Sequence, residues 1–136
     1  MQIRDLTSLD IEAAVALWHA VGLTRPRNPP ILDLQRALDS SASTVLGGFD
    51  GGELVGTVMV GHDGHRGWVY YLAVDESQRG IGLGREMMTA AEHWLREHGA
   101  VKAQLMIRST NEAVLGFYDH IGYDDADVQV RSKWLK

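Results

Sequence analysis

Gln78-Arg79-Gly80-Ile81-Gly82-Leu83-Gly84-Arg85 is the stretch on which the fold turns. Before it runs an apolar, β-branched and aromatic segment, Trp68-Val69-Tyr70-Tyr71-Leu72-Ala73-Val74. After it, from Leu83 to about His98, apolar residues recur at helical spacing. A glycine-rich turn between a strand and a helix is a place for a phosphate. The helix start leaves backbone N–H groups unpaired, and the helix dipole adds positive potential there. Glycine lets the backbone approach a pyrophosphate closely. Arg79 and Arg85 add charge of the matching sign.

Working outward, Gln2 to Leu6 alternates as a short first strand, and Asp10 is placed to cap a helix. Ile11, Ala14, Val15, Trp18 and Val21 recur on one face of that helix, and Gly22 stops it. All three prolines lie in Leu23–Pro30, a stiff connection carrying Arg25 and Arg27. Those arginines either face solvent or bind an anionic group of a substrate. Ile31 to Ser40 reads as a second helix, with Ile31, Leu34 and Leu38 on one side. Thr44–Phe49 and Glu53–Val60 read as strands joined by the tight hairpin Asp50-Gly51-Gly52.

Gly61-His62-Asp63-Gly64-His65-Arg66-Gly67 is a second turn, crowded with ionisable groups. It suits a polar hairpin tip, a substrate contact or a proton-transfer site. A metal is the poorest reading, since no fourth ligand is evident. Beyond the glycine loop, Leu83, Met87, Met88, Ala91, Trp94 and Leu95 form an apolar stripe, and Gly99 ends the helix. Lys102–Ile107 alternates as a fifth strand. Ser109 or Thr110 is placed to cap a helix over Asn111–His120, with Gly122 closing it. Val128–Leu135 reads as a last extended segment.

At 136 residues, with 45% hydrophobic and 23% charged residues, the chain suits one soluble domain, 1–136. A net charge of −5 argues against nucleic acid as the main partner. The absence of cysteine excludes disulfides, thiolate metal sites and a cysteine nucleophile. No apolar run approaches the roughly 18 residues needed to cross a bilayer, and Met1-Gln2-Ile3-Arg4-Asp5 is unlike a signal peptide. A cytoplasmic protein with no membrane partner is the expectation.

The spacing of the glycines separates rival ligands. A dinucleotide loop wants G-x-G-x-x-G, and Arg85 stands in the place of the third glycine. A triphosphate loop wants a Gly-Lys pair, and the chain has none. Arg79-Gly80-Ile81-Gly82-Leu83-Gly84 instead resembles the R-x-x-G-x-G/A motif of the GNAT superfamily of N-acetyltransferases. The resemblance covers the whole chain. Leu72-Ala73-Val74, the pair Asn111 and Tyr118, and Gly122-Tyr123 are similar to that family's other motifs. The segments at 25–30 and 61–67 resemble more particularly the YpeA-type bacterial acetyltransferases.

The resemblance implies an α+β, three-layer fold. Its central sheet would be mixed and mostly antiparallel, with six to seven strands, about four helices, and a splay between strands four and five. It implies acetyl-CoA as co-substrate and no metal. Arg79, Gly80, Ile81, Gly82, Leu83, Gly84 and Arg85 would hold the coenzyme pyrophosphate. Leu72, Ala73 and Val74 would offer backbone groups to the pantetheine arm and the thioester carbonyl, and Asn111 would touch the pantetheine. Tyr118 would protonate the departing thiolate. Where many members carry a glutamate base, this chain has Met106. By sequence the nearest replacements are Asp63, His65 and His62, of which His65 has the intrinsic pKa best suited to neutral pH. A water relay, or an amine that binds already neutral, would serve as well.

The function implied is direct transfer of an acetyl group to a primary amine of a small metabolite or peptide. The alternative is an acyl-CoA-binding module or sensor without catalysis, which Met106 favours. Arg25, Arg27 and Arg66 point to an anionic group on the acceptor. A homodimer is an open option.

Overall fold

The structure, a computed structural model, describes residues 1–135. The chain divides into two compact units, Met1–Met106 and a second beginning at Ile107. In the first unit β1 (Gln2–Asp5), β2 (Ser43–Asp50), β3 (Glu53–His62), β4 (Gly67–Val74) and β5 (Ala103–Leu105) lie side by side in chain order. The first four pair antiparallel and β5 runs parallel to β4. This is the expected mixed, mostly antiparallel sheet. Gly51 and Gly52, with φ of +57° and +86°, form the two-residue turn between β2 and β3. Their positive φ gives the twist that a short hairpin needs.

The sheet has five strands, not six or seven. Among the described residues no strand follows β5. Val128 and Val130 alternate as a strand would, yet they are 72% and 60% exposed. Alternation makes a strand only where another edge takes up its hydrogen bonds and its apolar face.

Helices α1 (Ile11–Ala20) and α2 (Pro30–Asp39) lie on one face of the sheet. They bury Ala14, Leu17, Trp18, Leu34 and Ala37 against Val45, Phe49 and Ala73. α3 (Leu83–Glu97) covers the other face through Leu83, Met87, Met88, Ala91 and Leu95. The alternation of β2 shows this: a side chain at Gly47 would meet Leu6, and one at Gly48 would meet Met87. At Gly67 a Cβ would stand 2.5 Å from Leu95, so glycine is what lets α3 lie close on β4. The second unit holds α4 (Glu112–His120), so the described residues contain four α-helices, as expected.

Two local expectations change. Asp10 stands at the N-cap position of α1, but its side chain makes no capping bond there. A single 3-10 turn, Ser8–Asp10, comes first and is capped by Thr7. The Leu9 N–H donates to Thr7 Oγ1 (3.2 Å), and the Thr7 N–H donates to the Asp10 carboxylate (2.8 Å). Thr-x-x-Asp closes reciprocally as a capping box, which outcompetes a lone aspartate cap. In α2, Leu34 is buried as expected, but Ile31 is 50% exposed and Ala37 takes a core position instead. Pro30 starts that helix, so Ile31 falls in its outward-facing first turn.

Candidate active site

The regular ladder fails once, in the middle of β4. Val60 pairs with Val69 and Met59 with Tyr70, but Thr57 pairs with Ala73 and Gly56 with Val74. Between Tyr70 and Ala73, β4 takes three steps against two on β3. Tyr71 is therefore a β-bulge, and its φ is +51°. Left-handed backbone costs an ordinary residue about 1–2 kcal/mol, so the surroundings must impose it. Four contacts do. The Tyr71 ring stacks on Trp18 with centroids 3.9 Å apart. Its hydroxyl donates to Asp33 Oδ2 (2.8 Å), and its carbonyl accepts from Thr57 Oγ1 (3.0 Å). Thr57 Oγ1 in turn accepts from Trp18 Nε1 (2.9 Å). Burial first, then Asp33, pushes the Tyr71 phenol well above its usual pKa.

The bulge reverses the strand's hydrogen-bonding sense. The Gly67 N–H points to the β5 side, donating to Lys102 O (2.8 Å). The Asp75 N–H points to β3, donating to Val55 O (2.8 Å). These residues are an even number of positions apart, so a regular strand would aim both the same way. With one extra residue inserted, Leu72 and Val74 present N–H and C=O to the edge away from β3. β5 pairs only as far as Val69 and ends at Leu105. On that side, among the described residues, β4 has no strand partner beyond Val69. Ala73 faces β3 with its backbone and the α1–α2 core with its side chain.

β4 leads into the glycine loop. Asp75 caps a short 3-10 turn, accepting from the Ser77 N–H (2.9 Å) and hydroxyl (2.8 Å). Those bonds, with the charge of Arg79, hold its carboxyl below the usual range. Gly80 (φ +80°) and Gly82 (φ +88°) then turn the chain. No neighbour lies within 4 Å of a Cβ built on either, so conformation and not crowding demands glycine there. α3 begins at Leu83 with no side-chain cap. Its first helical bond runs from the Glu86 N–H to Gly82 O (3.0 Å). The N–H groups of Leu83, Gly84 and Arg85 precede that bond and have no intrahelical acceptor. Arg79, Ile81 and Arg85 are exposed. Leu83 is 2% exposed, so it can reach a ligand only through its backbone. An uncapped helix start, two left-handed glycines and two arginines fit a pyrophosphate.

In the second unit Asn111 is the cap of α4, not its first residue. Its Oδ1 accepts from the Val114 N–H (3.3 Å). Ser109 and Thr110 do not take that role. Tyr118 is 7% exposed and lies edge-on to Phe117 and Tyr123. Burial pushes its phenol up to about 12, so the hydroxyl keeps its proton across the neutral range.

The other residues singled out from sequence lie elsewhere. Asp63 Oδ1 accepts from the Arg66 N–H (2.7 Å) and the His65 N–H (2.9 Å). Its Oδ2 accepts from Trp68 Nε1 (3.3 Å). These bonds hold the carboxyl below its usual pKa. Leu72 lies six positions beyond Arg66, about 20 Å at the usual strand rise. His65 is exposed, with Nδ1 3.4 Å from Arg66 Nη1. Arg66 also donates to the His65 carbonyl (3.2 Å). Arg25 donates to the Gly22 and Thr24 carbonyls, both at 2.9 Å, and so ties its own loop. Arg27 is exposed. Met106, just past β5, is 50% exposed. Among the described residues no group of three or more His, Cys, Asp or Glu could hold a metal ion, and no helix is long and apolar enough to cross a membrane.

Sequence reasoning did not bring Trp18, Asp33, Thr57 and Tyr71 together around the bulge. One signal was available. Thr57 is a hydroxyl inside the apolar run Leu54–Val60, and a buried hydroxyl needs partners.

A strand interrupted by a bulge and continued into an uncapped, glycine-led helix start leaves backbone donors for a phosphate-bearing ligand. The chain belongs to the acetyltransferase (GNAT) family, whose model matches residues 9–123. That makes it a member of a family of acetyl-CoA-dependent N-acetyltransferases.

Solved structures share the fold. The aminoglycoside N-acetyltransferase AAC(6')-Iy, solved with CoA, superposes with a TM-score of 0.86 at 12% identity, over 99% of this chain and 95% of that one. The aminoglycoside acetyltransferase meta-AAC0020, from an uncultured soil metagenomic sample and in complex with sisomicin, gives 0.83 at 20%, over 99% and 96%. A transcriptional regulator from Bacillus halodurans C-125 gives 0.82 at 18%, over 98% and 99%.

Proposed function

We propose that this chain, as one acetyltransferase domain spanning 1–136, moves the acetyl group of acetyl-CoA onto a primary amine of a small metabolite or peptide by direct attack. The observation that carries the reading is a pair of open backbone sites joined by one short turn: the β4 edge at Leu72 and Val74, past the end of β5, and the uncapped start of α3. Arg79, Gly80, Ile81, Gly82, Leu83, Gly84 and Arg85 hold the pyrophosphate, Leu83 through its backbone alone. The β4 edge holds the pantetheine arm in the manner of an added strand. Of Leu72, Ala73 and Val74, the first and last offer hydrogen bonds, and Ala73 serves by its small packed side chain. The Leu72 N–H is the donor aimed at the thioester carbonyl, where negative charge develops as the amine attacks. Asn111 keeps its side-chain N–H₂ for the pantetheine, because its oxygen caps α4.

The amine nitrogen bonds to the carbonyl carbon, the carbon–sulfur bond breaks, and Tyr118 gives its proton to the sulfur. A phenol with raised pKa stays protonated and ready at every working pH. The amine's proton leaves to water. Asp63 is held ionised in its turn, and with His65 lies far along β4, so the hairpin builds structure; Arg66 and Arg27 supply positive charge for an anionic group of the acceptor. Met106 cannot take a proton. An acceptor amine delivered neutral fits this site better than a protein base does.

The aminoglycoside acetyltransferases among the structural neighbours support small polyamine acceptors as the first to try. The loops at 25–30 and 61–67 support a place near the YpeA-type members.

The test is release of free coenzyme A from acetyl-CoA with a panel of sisomicin, amino acids and short peptides. Release above the amine-free rate is expected with at least one. Acetyl-CoA binding by calorimetry with no release from any acceptor would instead mark a binding module.

A further inference from the structure

Thr57 sits at the centre of β3, 0% exposed, between Val55, Gly56, Val58 and Val60. Valine would fill the same space. What the hydroxyl adds is a pair of hydrogen bonds. It accepts from Trp18 Nε1 (2.9 Å), which fixes the direction of its own proton, and that proton goes to Tyr71 O (3.0 Å). The Tyr71 carbonyl and the Leu72 N–H belong to one peptide unit. That unit is planar and trans, so the two groups point in opposite directions. Holding Tyr71 O toward Thr57 therefore aims the Leu72 N–H away from β3, toward the edge where β5 has ended. The same bond holds the one residue of β4 with left-handed φ.

We propose that the Thr57 hydroxyl, oriented by the Trp18 indole, is a positioning residue for the acetyl transfer, because it aims the Leu72 N–H at the thioester carbonyl of the donor. This rests on the acetyltransferase reading. Trp18 comes from α1, so the helix on the far face of the sheet helps set a hydrogen bond made at the sheet edge.

The test uses the full chain with three variants: Thr57→Val, Thr57→Ser, and Thr57→Val combined with Trp18→Phe. Thr57→Val leaves the indole N–H and the Tyr71 carbonyl without their partner. It should lower kcat about tenfold or more, as a misaimed oxyanion donor does. Its affinity for coenzyme A should stay within about twofold, because the pyrophosphate is held at α3. Thr57→Ser keeps the hydroxyl and should hold kcat within about threefold of wild type. The double variant removes the orphaned indole N–H, so it should recover thermal stability lost in Thr57→Val while kcat stays low.

A kcat for Thr57→Val within twofold of wild type would overturn the proposal, and so would recovery of kcat together with Tm in the double variant. A second readout needs no acceptor. In wild type, acetyl-CoA should shift the Leu72 amide proton signal beyond what coenzyme A does, and in Thr57→Val that extra shift should vanish. If the extra shift persists there, the clamp is wrong even in a protein with full activity. If wild type shows the shift but acetylates no amine, the clamp stands and the transferase reading falls.

Discussion

The hairpin that leads into β4 and the loop that leaves it are both short, polar and glycine-bearing. At the hairpin the polar groups satisfy one another. Asp63 takes two backbone N–H groups and an indole N–H, and the Asp63 N–H closes on Arg66 O (3.2 Å). At the loop, Asp75 satisfies the first turn, and then the pattern stops. Gly82 brings no capping side chain, and the leading N–H groups of α3 have no intrahelical acceptor. Composition would favour the hairpin as the reactive site, since it holds two histidines, an aspartate and an arginine. Hydrogen-bond accounting favours the loop. A turn that has used its donors is structure, while a turn that keeps them is prepared for a ligand.

The largest expected effect breaks the loop. Gly82→Asp adds a capping carboxylate at a φ of +88° and places negative charge at the proposed pyrophosphate site. Calorimetry should find coenzyme A binding weakened by at least about a hundredfold; unchanged affinity would return the loop to the status of an ordinary turn.

Next comes Tyr118→Phe, which should lower kcat about a hundredfold and leave coenzyme A affinity within about twofold. Its pH behaviour has a definite sign. The folded-state pKa of about 12 lies above the usual phenol value near 10. The group therefore favours the folded state fully below about pH 10 and loses that contribution as pH rises toward 12. Wild-type kcat should show no fall from this group before about pH 10. An alkaline limb near pH 8 that vanishes in Tyr118→Phe would rule out the assigned environment.

Asp63→Asn tests the other end. It should lower Tm by a few degrees, through weaker turn bonds, with kcat within about twofold. A tenfold fall in kcat with Tm unmoved would make the hairpin catalytic after all. The smallest effect compares a capped helix entry with the uncapped one. Thr7→Ala removes the box ahead of α1 and should cost about 1 kcal/mol of stability. Denaturant melts would show it, and coenzyme A affinity should not move.

Much of the loop's local geometry was legible in the sequence. Gly80 and Gly82 need their positive φ, and the period of Leu83, Met87, Ala91 and Leu95 sets where the helix starts. The four antiparallel strands followed from alternation and from the Asp50-Gly51-Gly52 turn. The last strand did not form, because alternation in Val128–Leu135 says nothing about who accepts its hydrogen bonds. Asn111 was placed on α4 one residue too far inside, since a cap and a first-turn residue have the same composition. The bulge at Tyr71 was not legible. An extra residue in one strand leaves no trace until that strand is laid against its partner.

By itself the sequence determined the local events: which segments turn, which faces are apolar, and which loop has the glycines to receive a phosphate. These depend on residues within a few positions of one another. Tertiary structure alone decided which backbone donors would be left over. Thr57, Trp18 and Asp33 converge on Tyr71 from three elements, and β5 stops after pairing with Val69. Where the unpaired groups lie is a property of the whole hydrogen-bond ladder, which exists only once the strands have met.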